Sequence, residues 1–359
     1  MKKIIRNIKR LIFVFIIMII FSIYNIFTLI NKAFYKDNIN YNPIINVNKE
    51  EIYLALNEQF ILETNIEDIE YEILNKEIIT INNNIITGIK SGNTIIKLKK
   101  YNTVKEIKVN VSDLYTLPII NNNKNYLSCN QYTESENNYL DKVLEYKINN
   151  AGYKTRAGVV EASRFLTLSF KYRIHYFYEN GRLLTNGTRS YVDGEGRYYH
   201  KGLYLSESKY DTLYAKQYGP SIWGCPLYTK IQNITTPNGL DCSGFISWAL
   251  LNAGFDVGDR GAGISEIKTN DLDDLGEKIE INYDTLNNNL YKVGDLISRD
   301  GHIGILIGIG NDRFYVAESL DYDLHVNIYN TEELINSDWT YFINMDNLYL
   351  SDGNLTNMW

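Results

Sequence analysis

Little cysteine, little histidine and no excess of positive charge mark this sequence, and each shortage removes a class of function. Three cysteines, Cys129, Cys225 and Cys242, do not make a disulfide framework, which needs an even and denser set. One pair, Cys129 with Cys225, stays arithmetically open and would leave Cys242 free. The four histidines are His175, His200, His302 and His325. No two of them stand at metal-ligand spacing on one helix, so a zinc hydrolase is not expected and no metal is assigned. A net charge of -7 supplies no basic face to displace counterions from phosphates, which argues against nucleic acid as a partner. Small ligands, proteins and glycopeptides remain.

What is present is ordinary globular material: 45% hydrophobic and 22% charged residues, enough for a sizeable core. A chain of 359 residues is long for one domain and points to two folded units plus extras. The heavy use of Ile, Asn, Lys and Tyr carries no chemistry of its own.

The first signal along the chain is an uncharged apolar run from Leu11 to Ile30. At 1.5 Å per residue, about 20 helical residues cross a hydrocarbon core of roughly 30 Å. Lys2, Lys3, Arg6, Lys9 and Arg10 precede the run, and only Lys32 and Lys36 closely follow it. The positive-inside rule therefore puts the N-terminus in the cytoplasm and the rest outside the cell membrane, as a single-pass protein. A cleaved signal peptide is the other reading, but the run exceeds the usual length of such a segment and no A-x-A-like site follows. Either way the remainder is exported. Residues 1–40 are assigned as cytoplasmic tip and anchor.

Short alternating runs come next: Ile52, Leu54 and Leu56; Ile69, Tyr71 and Ile73; Ile107, Val109 and Val111. Period-two patterning broken by Asn- and Gly-bearing turns predicts an all-β sandwich over 44–113. The stretch Ile86-Thr87-Gly88-Ile89-Lys90-Ser91-Gly92-Asn93-Thr94-Ile95-Ile96 resembles the bacterial immunoglobulin-like group 2 domain, with Gly88 and Gly92 where that family turns its chain. No His, Cys or acidic cluster marks catalysis there, so the expected role is a stalk, with binding of wall carbohydrate or a partner as the alternative.

Residues 114–200 read as a connecting region. A helix is predicted over Glu134 to Asn150, with Leu140, Leu144 and Ile148 on one stripe and Gly152 as its stop. A second helix follows Thr155 as N-cap, with Val159, Ser163, Leu166 and Phe170 at helical spacing. His175 and His200 lie in or near an aromatic cluster and read as packed residues rather than site residues.

The chemistry concentrates in 201–359. Cys242 stands in Asp241-Cys242-Ser243-Gly244-Phe245, and Phe245, Trp248 and Ala249 recur at helical spacing behind it. Cys242 is thus at a helix N-terminus, where unsatisfied amides and the helix dipole favour a thiolate and can hold an oxyanion. A cysteine there can equally be a small hydrophobe. Downstream, Gly294-Asp295-Leu296-Ile297 and His302-Ile303-Gly304-Ile305-Leu306-Ile307-Gly308 read as two strands with His302 opening the second. A thiol nucleophile needs a base within reach, and the base needs an orienting partner.

With Tyr218-Gly219-Pro220-Ser221-Ile222-Trp223-Gly224 upstream, these motifs occur in one order and together resemble the NlpC-type cell-wall peptidases, over roughly Tyr204 to Asn347. The resemblance implies an α+β, papain-like core, with the cysteine helix packed on an antiparallel sheet that carries the histidine. It implies Cys242 as nucleophile and His302 as base. It implies a polar third residue on the following strand, and in that register Glu318 is the ionisable candidate, with Ser319 behind it and Asp312 too near the turn. It also implies that Asp241, Ser243, Tyr218, Trp223 and Arg260 contact substrate. For Asp241 and Ser243, helix capping is the equal alternative. Arg260 reads equally as a solvated loop residue, and core packing is the alternative for Tyr218 and Trp223.

The expected activity is hydrolysis of an amide in the peptidoglycan stem peptide, of the γ-D-glutamyl-diamino acid type, with no cofactor. An amidase or transpeptidase on the same fold stays open, as does a non-catalytic wall-binding or adhesion protein. Oligomeric state has no sequence signal.

Overall fold

The computed structural model describes the backbone of 2–38, with side chains over 12–30. It further describes residues 42–126, 132–176, 201–203, 215–217, 226–229, 234–237, 239–258, 260–263 and 271–356. The chain is mixed α and β, with several sheets and one apolar N-terminal helix.

Helix α1, Lys2–Asn38, contains the stretch Ile12–Ile30, whose mean hydropathy is 2.6 and none of which is buried. It is long and apolar enough to cross a membrane.

The chain divides into two compact units. One comprises Met1–Ile52, Gln59–Thr87 and Asn93–Asn110, and the other Tyr53–Glu58, Gly88–Gly92 and Val111–Trp359. Seven strands lie between Glu51 and Ser112: β1 Glu51–Ala55, β2 Gln59–Ile61, β3 Glu70–Ile73, β4 Ile79–Asn82, β5 Ile85–Gly88, β6 Gly92–Lys100 and β7 Thr103–Ser112. They form a four-stranded sheet in the order β1-β7-β6-β3 and a three-stranded sheet in the order β2-β5-β4. The alternation read from the sequence is visible in β7, where Ile107, Val109 and Val111 are buried and Lys108 and Asn110 between them are not. Gly88 ends β5, and Gly92 opens β6 with φ 149°, a conformation that side-chain-bearing residues avoid.

In the second unit, α2 (Glu134–Ala151) begins at a capping box, with the Thr133 hydroxyl accepting from the Glu136 amide and the Glu136 side chain accepting from the Thr133 amide. It stops at Gly152, φ 123°. Leu140, Leu144 and Ile148 form the buried stripe, joined by Val143 and Lys147. Helix α3, Arg156–Arg164, is capped by Thr155 and runs into a π-helical turn, Phe165–Ser169. The region expected to be a connector does not stand apart over its described part. Val111 onward belongs to one compact unit, and Val159, Val160 and Phe165 share a buried cluster with Phe245, Trp248, Ile303 and Ile305.

Three short strands, β8 Ala215–Gln217, β9 Pro226–Thr229 and β10 Ile234–Pro237, pair antiparallel in the order β10-β9-β8. Helix α4, Cys242–Asn252, follows, buried from Cys242 to Leu251. The main sheet uses β11 Glu277–Glu280, β12 Leu296–Arg299, β13 His302–Ile309, β14 Phe314–Leu320, β15 Asp323–Tyr329 and β16 Tyr341–Asn344. Its order is β11-β16-β12-β13-β14-β15, every pairing antiparallel. Two short helices, α5 Tyr283–Asn287 and α6 Thr331–Ile335, complete the unit. Because successive strand residues face opposite ways, β13 serves two cores. Ile303, Ile305 and Ile307 join the cluster that holds α3 and α4, whereas Leu306 packs with Val316, Trp339 and Phe342.

The Gly-Asp-Leu turn before β12 is pinned from α3. Arg156 donates to the fully buried Asp295 at 2.7 Å and pairs with Asp346 at 2.6 Å. Asp295 also accepts from the amides of Lys292, 2.7 Å, and Met345, 3.1 Å. Gly294 has φ 96°, and a Cβ there would come within 2.6 Å of Arg156 Cγ, so only glycine lets the turn close on the guanidinium.

Candidate active site

Cys242 is the first residue of α4. Asp241 is its N-cap, in extended backbone conformation, and its carboxylate accepts from the Gly244 amide at 2.7 Å and from the Ser243 hydroxyl at 3.2 Å. The capping alternative for Asp241 is therefore what the structure contains, and Ser243 serves that cap. The segment entering the helix is held from both sides. The Leu240 amide donates to the His175 carbonyl at 3.1 Å, and the Ser319 hydroxyl donates to the Leu240 carbonyl at 2.7 Å. Ser319 is committed to that role and is no stand-in for Glu318. Gly239 passes so near His175 that a Cβ would lie 1.8 Å from its carbonyl oxygen.

Cys242 is 8% exposed, and burial, reinforced by the charge of Asp241, pushes the thiol up to about 12. Opposing that, the nearby backbone amides of Ile303, Ser243 and Cys242 itself favour the charged form and pull the thiol back down. Cys242 is a neutral thiol at rest, seated among amide donors that would favour negative charge. One of those donors, Ile303, is the residue immediately after His302, so the nucleophile candidate lies against the start of β13.

His302 and Glu318 meet across the β13–β14 pairing. The His302 Nε2 is 2.6 Å from a Glu318 carboxylate oxygen, and the two residues are 5% and 1% exposed. Register explains the meeting. Glu318 pairs directly with Gly304, two residues from His302 on the same face. Glycine at 304 matters, because a Cβ there would press on Ala317 O, Val316 Cγ1 and Glu318 Cβ at 3.0, 3.1 and 3.4 Å. Burial pushes the Glu318 carboxyl up, but hydrogen bonds from His302 and Asn327 and the nearby His325 outweigh it and hold the group below the usual carboxylate range. The His302 ring stacks on Trp339 with centroids 5.2 Å apart and planes 28° apart. Arg299 lies over the same indole and pairs with Asp338 at 2.7 Å. A recess of about 300 Å3 opens here, lined by Arg299, Glu318, Tyr329, Asn336, Asp338 and Trp339.

Of the other residues expected at the site, Arg260 is half-buried and its Nε donates to Val257 O at 2.7 Å, closing its own loop. Tyr218 and Trp223 lie outside the described residues, as do Cys129, Cys225 and His200. His175 is stacked on Tyr126, centroids 3.6 Å apart, and burial takes its pKa down to about 4, in keeping with a packed residue. Asp312 accepts from the Thr331 hydroxyl at the turn. Asn327, His325 and Trp339 are the residues that sequence reasoning missed. The available signal was the pair His325 and Asn327 at i, i+2 on a strand, polar residues on one face beside Glu318.

Among the described residues no group of His, Cys, Asp and Glu is arranged to hold a metal ion. No family model matches the chain. No curated protein matches it either.

Proposed function

We propose that the second unit is an exported cysteine hydrolase that cuts an amide bond in the peptidoglycan stem peptide, on an NlpC-type, papain-like core held off the membrane by α1 and an immunoglobulin-like stalk. The observation that carries the reading is the 2.6 Å pair of His302 and Glu318 at the start of the strand whose next residue, Ile303, shares a buried cluster with Cys242. The ordered motifs around Cys242, Gly294-Asp295 and His302 supply the substrate class.

In this reading an ionised Glu318 accepts the Nε2 proton of His302, which leaves the lone pair on Nδ1. Nδ1 takes the thiol proton as sulfur attacks the carbonyl carbon, and amides at the start of α4 hold the oxyanion. The imidazolium then gives that proton to the leaving amine, and a thioester remains on Cys242. Water, deprotonated by the same Nδ1, attacks the thioester, releases the carboxylic acid and restores the thiol. Glu318 keeps the imidazole in the required tautomer and balances its charge. The raised thiol pKa fits proton transfer concurrent with attack, without a standing thiolate.

The test incubates the full chain in detergent, and its Cys242→Ala variant, with purified peptidoglycan and weighs the released fragments. Fragments from the wild type alone, with masses of a cut between the second and third stem residues, are expected. A cut at the glycan–peptide junction would make it an amidase, and exchanged cross-links a transpeptidase. No fragments, with both forms retained on the wall, would sink the enzymatic reading in favour of a binding protein.

A further inference from the structure

Glu318 has two oxygens, and the proposed mechanism uses one. The second accepts from Asn327 Nδ2 at 2.8 Å. That same Nδ2 lies 3.2 Å from His325 Nε2, and His325 Nδ1 lies 2.9 Å from an Asp323 carboxylate oxygen. Asp323 is in turn paired with Arg173 Nε at 3.1 Å. With His325 in its neutral form, these contacts assign its protons. The Asp323 carboxylate accepts, so His325 carries its hydrogen on Nδ1. Nε2 then presents a lone pair, which takes one N–H of Asn327. The other N–H of Asn327 is aimed at Glu318. A flipped amide would put its oxygen against the Glu318 carboxylate, lone pair on lone pair.

We propose that Asn327, oriented by His325, is a positioning residue that keeps Glu318 ionised and thereby sets the tautomer of His302. The inference rests on the reading of Cys242 and His302 as nucleophile and base. Its logic is a single proton. Glu318 is 1% exposed, so loss of the Asn327 donor removes a partner from a buried carboxylate and favours its neutral form. A protonated Glu318 donates O–H to His302 Nε2 instead of accepting from it. The neutral imidazole must then carry its hydrogen on Nδ1, the nitrogen that has to receive the thiol proton. The charged and titratable groups around Glu318 are His302 on β13, His325 and Tyr329 on β15, Arg299 on β12 and its partner Asp338 across the recess, with Asp323 and Arg173 behind His325.

The experiment uses the full chain in detergent with 15N-labelled histidine, as wild type, Asn327→Leu, Asn327→Gln and His325→Leu. Imidazole nitrogen shifts report each tautomer against pH, and peptide-level mass spectrometry reports alkylation of Cys242 by iodoacetamide. In the wild type, neutral His302 is expected as the Nε2–H tautomer. Asn327→Leu is expected to move proton uptake by the Glu318–His302 pair, and the acid limb of Cys242 alkylation, up by about one pH unit or more. The species formed is expected to be Nδ1–H imidazole rather than imidazolium. Asn327→Gln, which keeps the amide donor, should recover part of the shift, and His325→Leu should give a smaller shift of the same sign. A folded Asn327→Leu protein with wild-type His302 shifts and an unmoved limb overturns the inference. Failure of the functional reading is seen separately: wild-type alkylation indifferent to His302→Gln, with no peptidoglycan cleavage. In that case the nitrogen shifts alone decide on Asn327. Should Asn327→Leu fail to fold, His325→Leu and Asn327→Gln carry the test, and absence of any shift in both overturns it.

Discussion

His302 Nε2 and a carboxylate oxygen of Glu318 lie 2.6 Å apart in a setting almost closed to solvent. An ionised Glu318 makes this a charge-assisted bond and decides which imidazole nitrogen keeps its lone pair.

Glu318→Gln retains size and removes that decision, since a glutamine can donate N–H to Nε2 and move the ring hydrogen to Nδ1. Turnover on peptidoglycan is expected to fall by about 100- to 10,000-fold, the range for a wrong-tautomer histidine, with little change in KM. Kinetics of fragment release check this.

The same carboxylate makes a pH signature in stability. Its folded pKa lies below the ordinary value of 4.5, so its contribution is complete above that value and is lost as pH falls through the depressed folded pKa. The stability gap between wild type and Glu318→Gln should therefore be constant at neutral pH and shrink in acid, as read from urea midpoints. A gap that widens in acid would contradict the assignment.

Asp241→Asn keeps a competent N-cap while removing a negative charge that raises the Cys242 thiol pKa. Cys242 should alkylate faster at fixed pH in this variant, with stability nearly unchanged. Asp241→Ala should instead cost about 0.5–2 kcal/mol by loss of the cap. The pair of variants separates charge from capping.

Arg156→Met leaves Asp295 buried with no cation beside it. Breaking a buried pair by removing one partner typically costs about 3–5 kcal/mol. Denaturant unfolding should show that loss, and the Gly-Asp-Leu turn that launches β12 should be the first region to gain amide exchange.

Much of the local structure was legible because it depends on neighbours in the chain. The apolar run of α1, the alternation in β7, the caps at Thr155 and Asp241, and the stop at Gly152 are short-range effects of hydrophobic period and backbone capping. Cys242 and His302 were readable for the same reason, since each sits at the start of an element announced by its own flanking pattern. Glu318 came from register in a resembling family, and the structure gives it a partner in His302.

What needed the tertiary structure is everything set by residues far apart in sequence. The commitment of Ser319 to Leu240 rather than to the histidine follows from strand alternation, which turns adjacent residues 318 and 319 to opposite faces. The merging of the helices after residue 133 with the unit that carries α4 follows from burial of their apolar stripes in a shared core. Asn327, His325 and Trp339 reached the site only because β15 pairs with β14 in one register and the chain returns behind His302. By itself the sequence determined which elements form and which two residues open them. Long-range packing decided which polar groups share a buried space, because the protonation state of His302 and Glu318 depends on desolvation and on donors from other strands, and no local pattern encodes those.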